Sequence, residues 1–168
     1  MDIAPWEAFI RSTALHAFVH DHEPWLWPLL QTLHYFGATL LLGTIGYFDL
    51  RALGMAKGIA AGAMHRLIPW GIGGYFSNML VGLVFFFGHP DQYFYNNAFR
   101  TKLIFMAVAG TNVLLFYGTN AFEELKKLPA GVDPPLRIKL IAGTSLCMWV
   151  GVLVCGRLIT FFRPPFFH

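Results

Sequence analysis

The sequence predicts an all-α integral membrane protein, a four-helix bundle preceded by an amphipathic interfacial helix, and two observations lead to it. Residues are 56% hydrophobic and 12% charged with a mean hydropathy of +0.53, far from the quarter-charged composition of soluble domains. Four stretches carry no Asp, Glu, Lys or Arg: Trp25 to Phe48, Leu67 to Gly88, Leu103 to Phe122 and Leu140 to Gly156. Each approaches the ~20 residues that a helix rising ~1.5 Å per residue needs to cross about 30 Å of hydrocarbon.

Taken in order, residues 5–20 mix Trp6, Phe9, Ile10, Leu15, Phe18 and Val19 with Glu7, Arg11 and His16 after Pro5, which predicts an interfacial amphipathic helix. Pro24 and Pro28, with Trp25 and Trp27, mark the entry to the first span at headgroup level. The spans are expected at about 25–49, 67–89, 102–122 and 139–162, the last accommodating Arg157. The segment "HPDQYFYNNAF" is too polar to span and forms a second interfacial stretch, while "KKLPAGVDPP" is a turn. No long internal repeat or linker divides the chain, so a single domain is expected. The start "MDIAPWEAF" is acidic and broken by proline, unlike a cleavable signal peptide, so it is expected to be retained.

The net charge of +3 says little about partners, and nothing in it implies nucleic acid. The distribution is more useful. The first and third loops hold Arg51, Lys57, Arg66, Lys126, Lys127, Arg137 and Lys139, and the opposite side holds Arg11, Arg100, Lys102, Arg157 and Arg163. Counting basic residues near span ends places those loops in the cytoplasm and both termini outside. Cys147 and Cys155 are about two helical turns apart, out of disulfide reach, and read as small core residues.

On that topology six of the seven histidines share the outer side: His16, His20, His22, His34, His89 and His168; only His65 sits at the cytoplasmic mouth. His34 lies about nine residues inside the first span, and an ionisable residue at that depth is a functional hypothesis by default. Imidazole is the common axial ligand of b-type haem, and helix bundles hold cofactors with side chains from facing helices; the bland alternative is a hydrogen bond to a neighbouring helix. His89, beside Pro90, divides evenly between the two roles. His16 and His20 are four apart and so share a helical face, a spacing that suits chelation of one ion, with His22 as a further ligand and Asp21 and Glu23 beside it. Imidazole-rich sites suit zinc and copper, and an external redox setting favours copper. The candidate metal set is therefore His16, His20, His22, His34 and His89, against the alternative of solvated surface histidines.

Arg157, Arg100 and Lys102 lie at one depth near the outer end, where a cation either snorkels or pairs with a haem propionate. The span residues Asn78, Asn112 and Tyr117 read as interhelical hydrogen bonds, and the recurrent glycines as close helix packing or room for a flat macrocycle.

The segments "LHYFGATLLLGTIGYFDLRALG", "HRLIPWGIGGYFSNMLVGLVFF" and "NNAFRTKLIFMAVAGTNVLLFY", covering roughly Leu33 to Tyr117, resemble a family of small bacterial four-span inner-membrane proteins of unassigned function. More distantly they resemble the CopD copper-resistance membrane proteins and b-type membrane cytochromes. The resemblance implies a four-helix membrane domain with His34, Asp49, Arg51, His65, Arg66, Asn97, Lys102 and Asn112 at recurring polar positions, and haem or copper handling by analogy.

A two-sided electron relay needs haem ligands in both leaflets, and the cytoplasmic half offers only His65. The expectation is therefore a one-sided redox protein: one or two b-type haems near the periplasmic face, an adjacent copper ion, electrons from quinol or a periplasmic partner, and a homo-oligomeric state. The alternative is a CopD-like copper-binding or copper-transport protein without haem. Met64, Met79, Met106 and Met148 fall on three spans without Met-x-x-Met pairing, which weighs against a transport path. A subunit without cofactor is the third reading.

Overall fold

The computed structural model describes residues 4–162, and Arg163 and His168 fall outside the described residues. The described chain is helical without strands: α1 (Ala4–Arg11), α2 (Ala14–Asp21), α3 (Glu23–Ala52), α4 (Ala61–His65), α5 (Ile68–Gly88), α6 (Pro90–Phe94), α7 (Asn97–Gly118), α8 (Ala121–Lys127) and α9 (Leu136–Leu158). Three segments, Ala61–Gly88, Asn97–Gly118 and Leu136–Leu158, are long and apolar enough to cross a membrane. The remaining expected span, the first in chain order, is α3, which has 30 residues and the length, about 45 Å. Gln31, Thr32, His34, Asp49 and Arg51 keep its mean hydropathy below that of the other three.

The expected interfacial helix is two helices, because Ser12 and Thr13 draw their own backbone out of the helical ladder. Ser12 Oγ donates to the Phe9 carbonyl at 2.7 Å and Thr13 Oγ1 to that of Ile10 at 2.6 Å. Thr13 Oγ1 also accepts from the His16 amide at 3.3 Å, so it closes α1 and opens α2. Asn120, left-handed at φ 58°, likewise ends the α7 path and turns the chain into α8, so the third long helix stops short of its expected end.

The chain runs up and down: α3 packs along α5, α7 along α9, and α3 against α9 joins the pairs. The α3–α5 seam reads directly from spacing. Leu26, Leu30, Gly37, Leu41, Thr44 and Phe48 are buried on α3, and Gly71, Gly74, Val81, Phe85 and Gly88 on α5, at alternating steps of three and four wherever the register is unbroken. Glycine is required where the backbones meet: a Cβ on Gly74 would lie 2.6 Å from the Gly37 carbonyl oxygen and 2.9 Å from the Leu41 amide nitrogen.

One end of the molecule carries His16, His20, His22 and His89 with α1, α2 and α6; the other carries α4 with His65, α8 and most of the lysines and arginines. At the histidine-rich end the fully buried Asn96 ties two helix termini together. Its Oδ1 accepts from the amides of Ala98 and Phe99 at 2.9 and 3.3 Å, capping α7, and its Nδ2 donates to the Ile159 and Phe162 carbonyls at 2.9 Å each. At the basic end Arg51 is wholly buried and is no surface charge at all. Its Nε donates to the Ile59 carbonyl at 2.7 Å and Nη2 to that of Pro129 at 3.5 Å, pinning both loops to α3.

Candidate functional site

His34 occupies a seam position. It stands four residues after Leu30 and three before Gly37 on the buried face of α3, so the register that buries leucine there carries the imidazole inward. Asn78 holds the matching place on α5, four after Gly74 and three before Val81, and its side-chain amide lies against Gly37. Both end up short of partners: among the described residues His34 Nδ1 and Asn78 Oδ1 are buried without a hydrogen bond, as is Trp149 Nε1 on α9. Leaving a buried polar group unbonded costs about 1–3 kcal/mol each. Asn78 thus departs from the interhelical bond expected of it, whereas Asn112 Nδ2 donates to the Ile141 carbonyl at 2.9 Å and Tyr117 Oη pairs with His65 at 3.1 Å.

Lys102 enters from α7. Its ammonium lies against Gly156 of α9, 3.6 Å from where a Cβ would stand there. Among the described residues it has no ion pair. The two other expected cations are placed differently: Arg100 Nη2 donates to the Phe94 carbonyl at 3.1 Å on an exposed surface, and the Arg157 guanidinium sits over the Phe161 ring at 5.3 Å.

The remaining histidines lie toward the end of the molecule and have local partners. His16 Nδ1 pairs with the Phe87 carbonyl at 2.8 Å, seating α2 on α5, and His22 Nδ1 pairs with the Phe18 carbonyl at 2.8 Å. The His16 and His20 rings lie parallel with centroids 6.3 Å apart, as their spacing predicts. Glu23, which spacing alone did not single out as a central residue, stands between two imidazoles: Oε1 is 3.3 Å from His89 Nε2 and Oε2 is 3.9 Å from His20 Nδ1. The signal for it was available in sequence only as an acid at the first turn of a helix beside a histidine cluster. Among the described residues no group of three His, Cys, Asp or Glu side chains is arranged to hold a metal ion. The structure therefore does not bring His16, His20, His22, His34 and His89 together as one coordination set.

His34 and His89 are connected but are not neighbours. Their rings are linked through Phe85 and Trp27, with centroid distances of 5.9 Å for His34–Phe85, 4.7 Å for Phe85–Trp27 and 4.9 Å for Trp27–His89. An axial pair of these two imidazoles on one macrocycle does not fit that arrangement; His34 alone could offer a single axial imidazole, through Nε2. No protein-family model, curated protein or solved structure matches the chain. The glycines supply no macrocycle cradle at His34 either. The groove of about 440 Å³ that they shape, with Gly43, Gly73 and Ser77 in its wall, is apolar, and His34 does not line it.

Proposed function

We propose that the chain is a four-span inner-membrane redox protein of the b-type cytochrome kind, α3 serving as the fourth span, with haem held by His34 in the periplasmic half. The observation that carries the reading is the buried, unpartnered Nδ1 of His34 at a position where the helix register would otherwise place an apolar residue. An imidazole held in a membrane interior with a ring nitrogen lacking a hydrogen-bond partner is costly, which marks His34 as a functional position rather than a packing one. When bound, haem would supply one-electron chemistry at that site. The chain's own residues do the rest: Leu30 and Gly37 fix the depth of the imidazole, and Phe85 packs on it. Trp27 and His89 continue the ring contacts to the histidine-rich end, where a periplasmic partner or quinol at the membrane surface would exchange electrons.

The decisive experiment is an optical spectrum with a pyridine-haem assay on the full chain, purified after expression with haem supply. The expected result is a Soret band and a reduced α-band of b type, both lost in His34→Ala and retained in His22→Ala. A colourless wild-type protein, or a spectrum indifferent to His34→Ala, overturns the reading. Copper quantified in the same preparations, with and without His16→Ala and His20→Ala, tests the CopD-like alternative.

A further inference from the structure

The seam between α3 and α9 holds a carboxyl group that the proposed redox function does not use. A Cβ on Gly46 of α3 would lie 3.7 Å from a Leu146 methyl on α9, and one on Gly143 of α9 would lie 3.6 Å from a Leu53 methyl on α3. Asp49 comes three residues after Gly46 and four before Leu53, so the helical repeat sets it in the same seam. It is 5% exposed, and its Oδ2 is buried without a hydrogen-bond partner. Opposite, Ser145 shares the buried face of α9 with Ala142 and Trp149, and its hydroxyl donates to the Asp49 carboxyl. An acid inside a span is costly, and an isolated ionised carboxylate far more so; such a group is accommodated by taking up a cation.

The charges near this level are engaged elsewhere. Arg51, two residues on and so toward the other side of α3, donates to the Ile59 and Pro129 carbonyls. On α9, Arg137 lies 3.0 Å from Glu124, and Lys139 bonds to Asp133. His65 of α4 pairs with Tyr117 Oη, and α5 carries no charged residue. Among the described residues Asp49 makes no ion pair, and the described chain begins in α1 and ends at Phe162, both at the opposite, histidine-rich end. Calcium and magnesium ions take six or more oxygen ligands, whereas the seam supplies this carboxyl and one hydroxyl, enough for a proton.

We infer that Asp49 is a proton-binding site, its carboxyl held against the Ser145 hydroxyl and exchanging one proton with water at the basic end, where α3 closes at Ala52. The proton passes from water to a carboxylate oxygen and returns the same way, and no electron moves. The site is independent of haem.

The test uses the full chain in nanodiscs, expressed without haem supply and with aspartate carrying heavy carbon in its side-chain carboxyl. At neutral pH, where an aspartate in water is ionised, the infrared spectrum should show the C=O stretch of a protonated carboxyl. That band should shift with the label and in heavy water, and should be absent from Asp49→Asn. Ser145→Ala should move it to higher frequency, because a donated hydrogen bond is lost. Asp49→Asn imitates the neutral group, so in reversible unfolding at neutral pH it should be at least as stable as wild type. A wild-type spectrum without the protonated band, a band that persists in Asp49→Asn or a band unmoved by heavy water overturns the inference. A clear loss of stability in Asp49→Asn at neutral pH also overturns it, because Asp49 would then be an ionised counter-ion of Arg51. Each outcome is read whether or not His34 holds haem.

Discussion

Asn96 offers the sharpest quantitative test of how this fold is held. The side chain is fully buried and makes four hydrogen bonds, two as cap acceptor at the start of α7 and two as donor to carbonyls at the end of α9. Asn96→Ala removes the cap, worth about 1 kcal/mol, and leaves the Ile159 and Phe162 carbonyls without their donor at about 1 kcal/mol each. The expected destabilisation is about 3 kcal/mol. Asn96→Ser keeps a cap oxygen but not the two donated bonds, so it should lose about 2 kcal/mol. Asn96→Asp keeps the cap geometry yet turns a carboxylate toward two carbonyl oxygens, so it should be no more stable than the alanine variant at neutral pH. Reversible unfolding in mixed detergent micelles, followed by circular dichroism, measures all three. A wild-type-like Asn96→Asp would mean that only the cap matters, and an Asn96→Ala loss under about 0.5 kcal/mol would mean that neither terminus depends on this residue.

Three further outcomes follow from other parts of the structure. Gly74→Ala forces a Cβ against the Gly37 carbonyl and should destabilise by about 1–3 kcal/mol in the same assay, whereas Gly73→Ala, which meets nothing within 4 Å, should be close to neutral; equal effects would refute the close α3–α5 approach. Arg51→Met leaves the carbonyls of Ile59 and Pro129 without their donor, so limited proteolysis should cut the loops at 53–60 and 128–135 faster than in wild type, with the long helices intact. Unchanged cleavage rates would show that Arg51 does not hold the loops. Lys57 and Lys139 both bond to the Asp133 carboxyl and hold it down at about 2, below its ordinary 3.8. A depressed carboxylate contributes stability that is present above its unfolded value and lost as pH falls through its folded value. Exchange of the Gly131 amide, bonded to the Lys57 carbonyl at 2.9 Å, should therefore stay protected down to about pH 4 and lose protection between there and pH 2. Asp133→Asn should abolish that step, and an unaltered pH profile in this variant would rule the ion pairs out as its cause.

The amino-acid sequence by itself determined the helical class and the long helices to within a few residues at most ends. These follow from local rules, because charge-free length is visible without coordinates, whereas the pairing of α3 with α5 had to come from the packed structure. The break at Ser12 and Thr13 was missed because amphipathic periodicity runs across it, and only side-chain bonds to the backbone interrupt the helix. That Arg51 is buried and Lys102 turned inward was decided by tertiary structure alone. A basic residue near a helix end looks the same in sequence whether it faces water, carbonyls or a glycine on the next helix. The histidines divide the same way. Depth placed His34 in the interior, but sequence could not show that Phe85 and Trp27 link it to His89 or that Glu23 engages two other imidazoles. Those contacts join residues 51 to 66 positions apart along the chain for His34–Phe85, Trp27–Phe85, Trp27–His89 and Glu23–His89, and only packing of α3 on α5 brings them within reach.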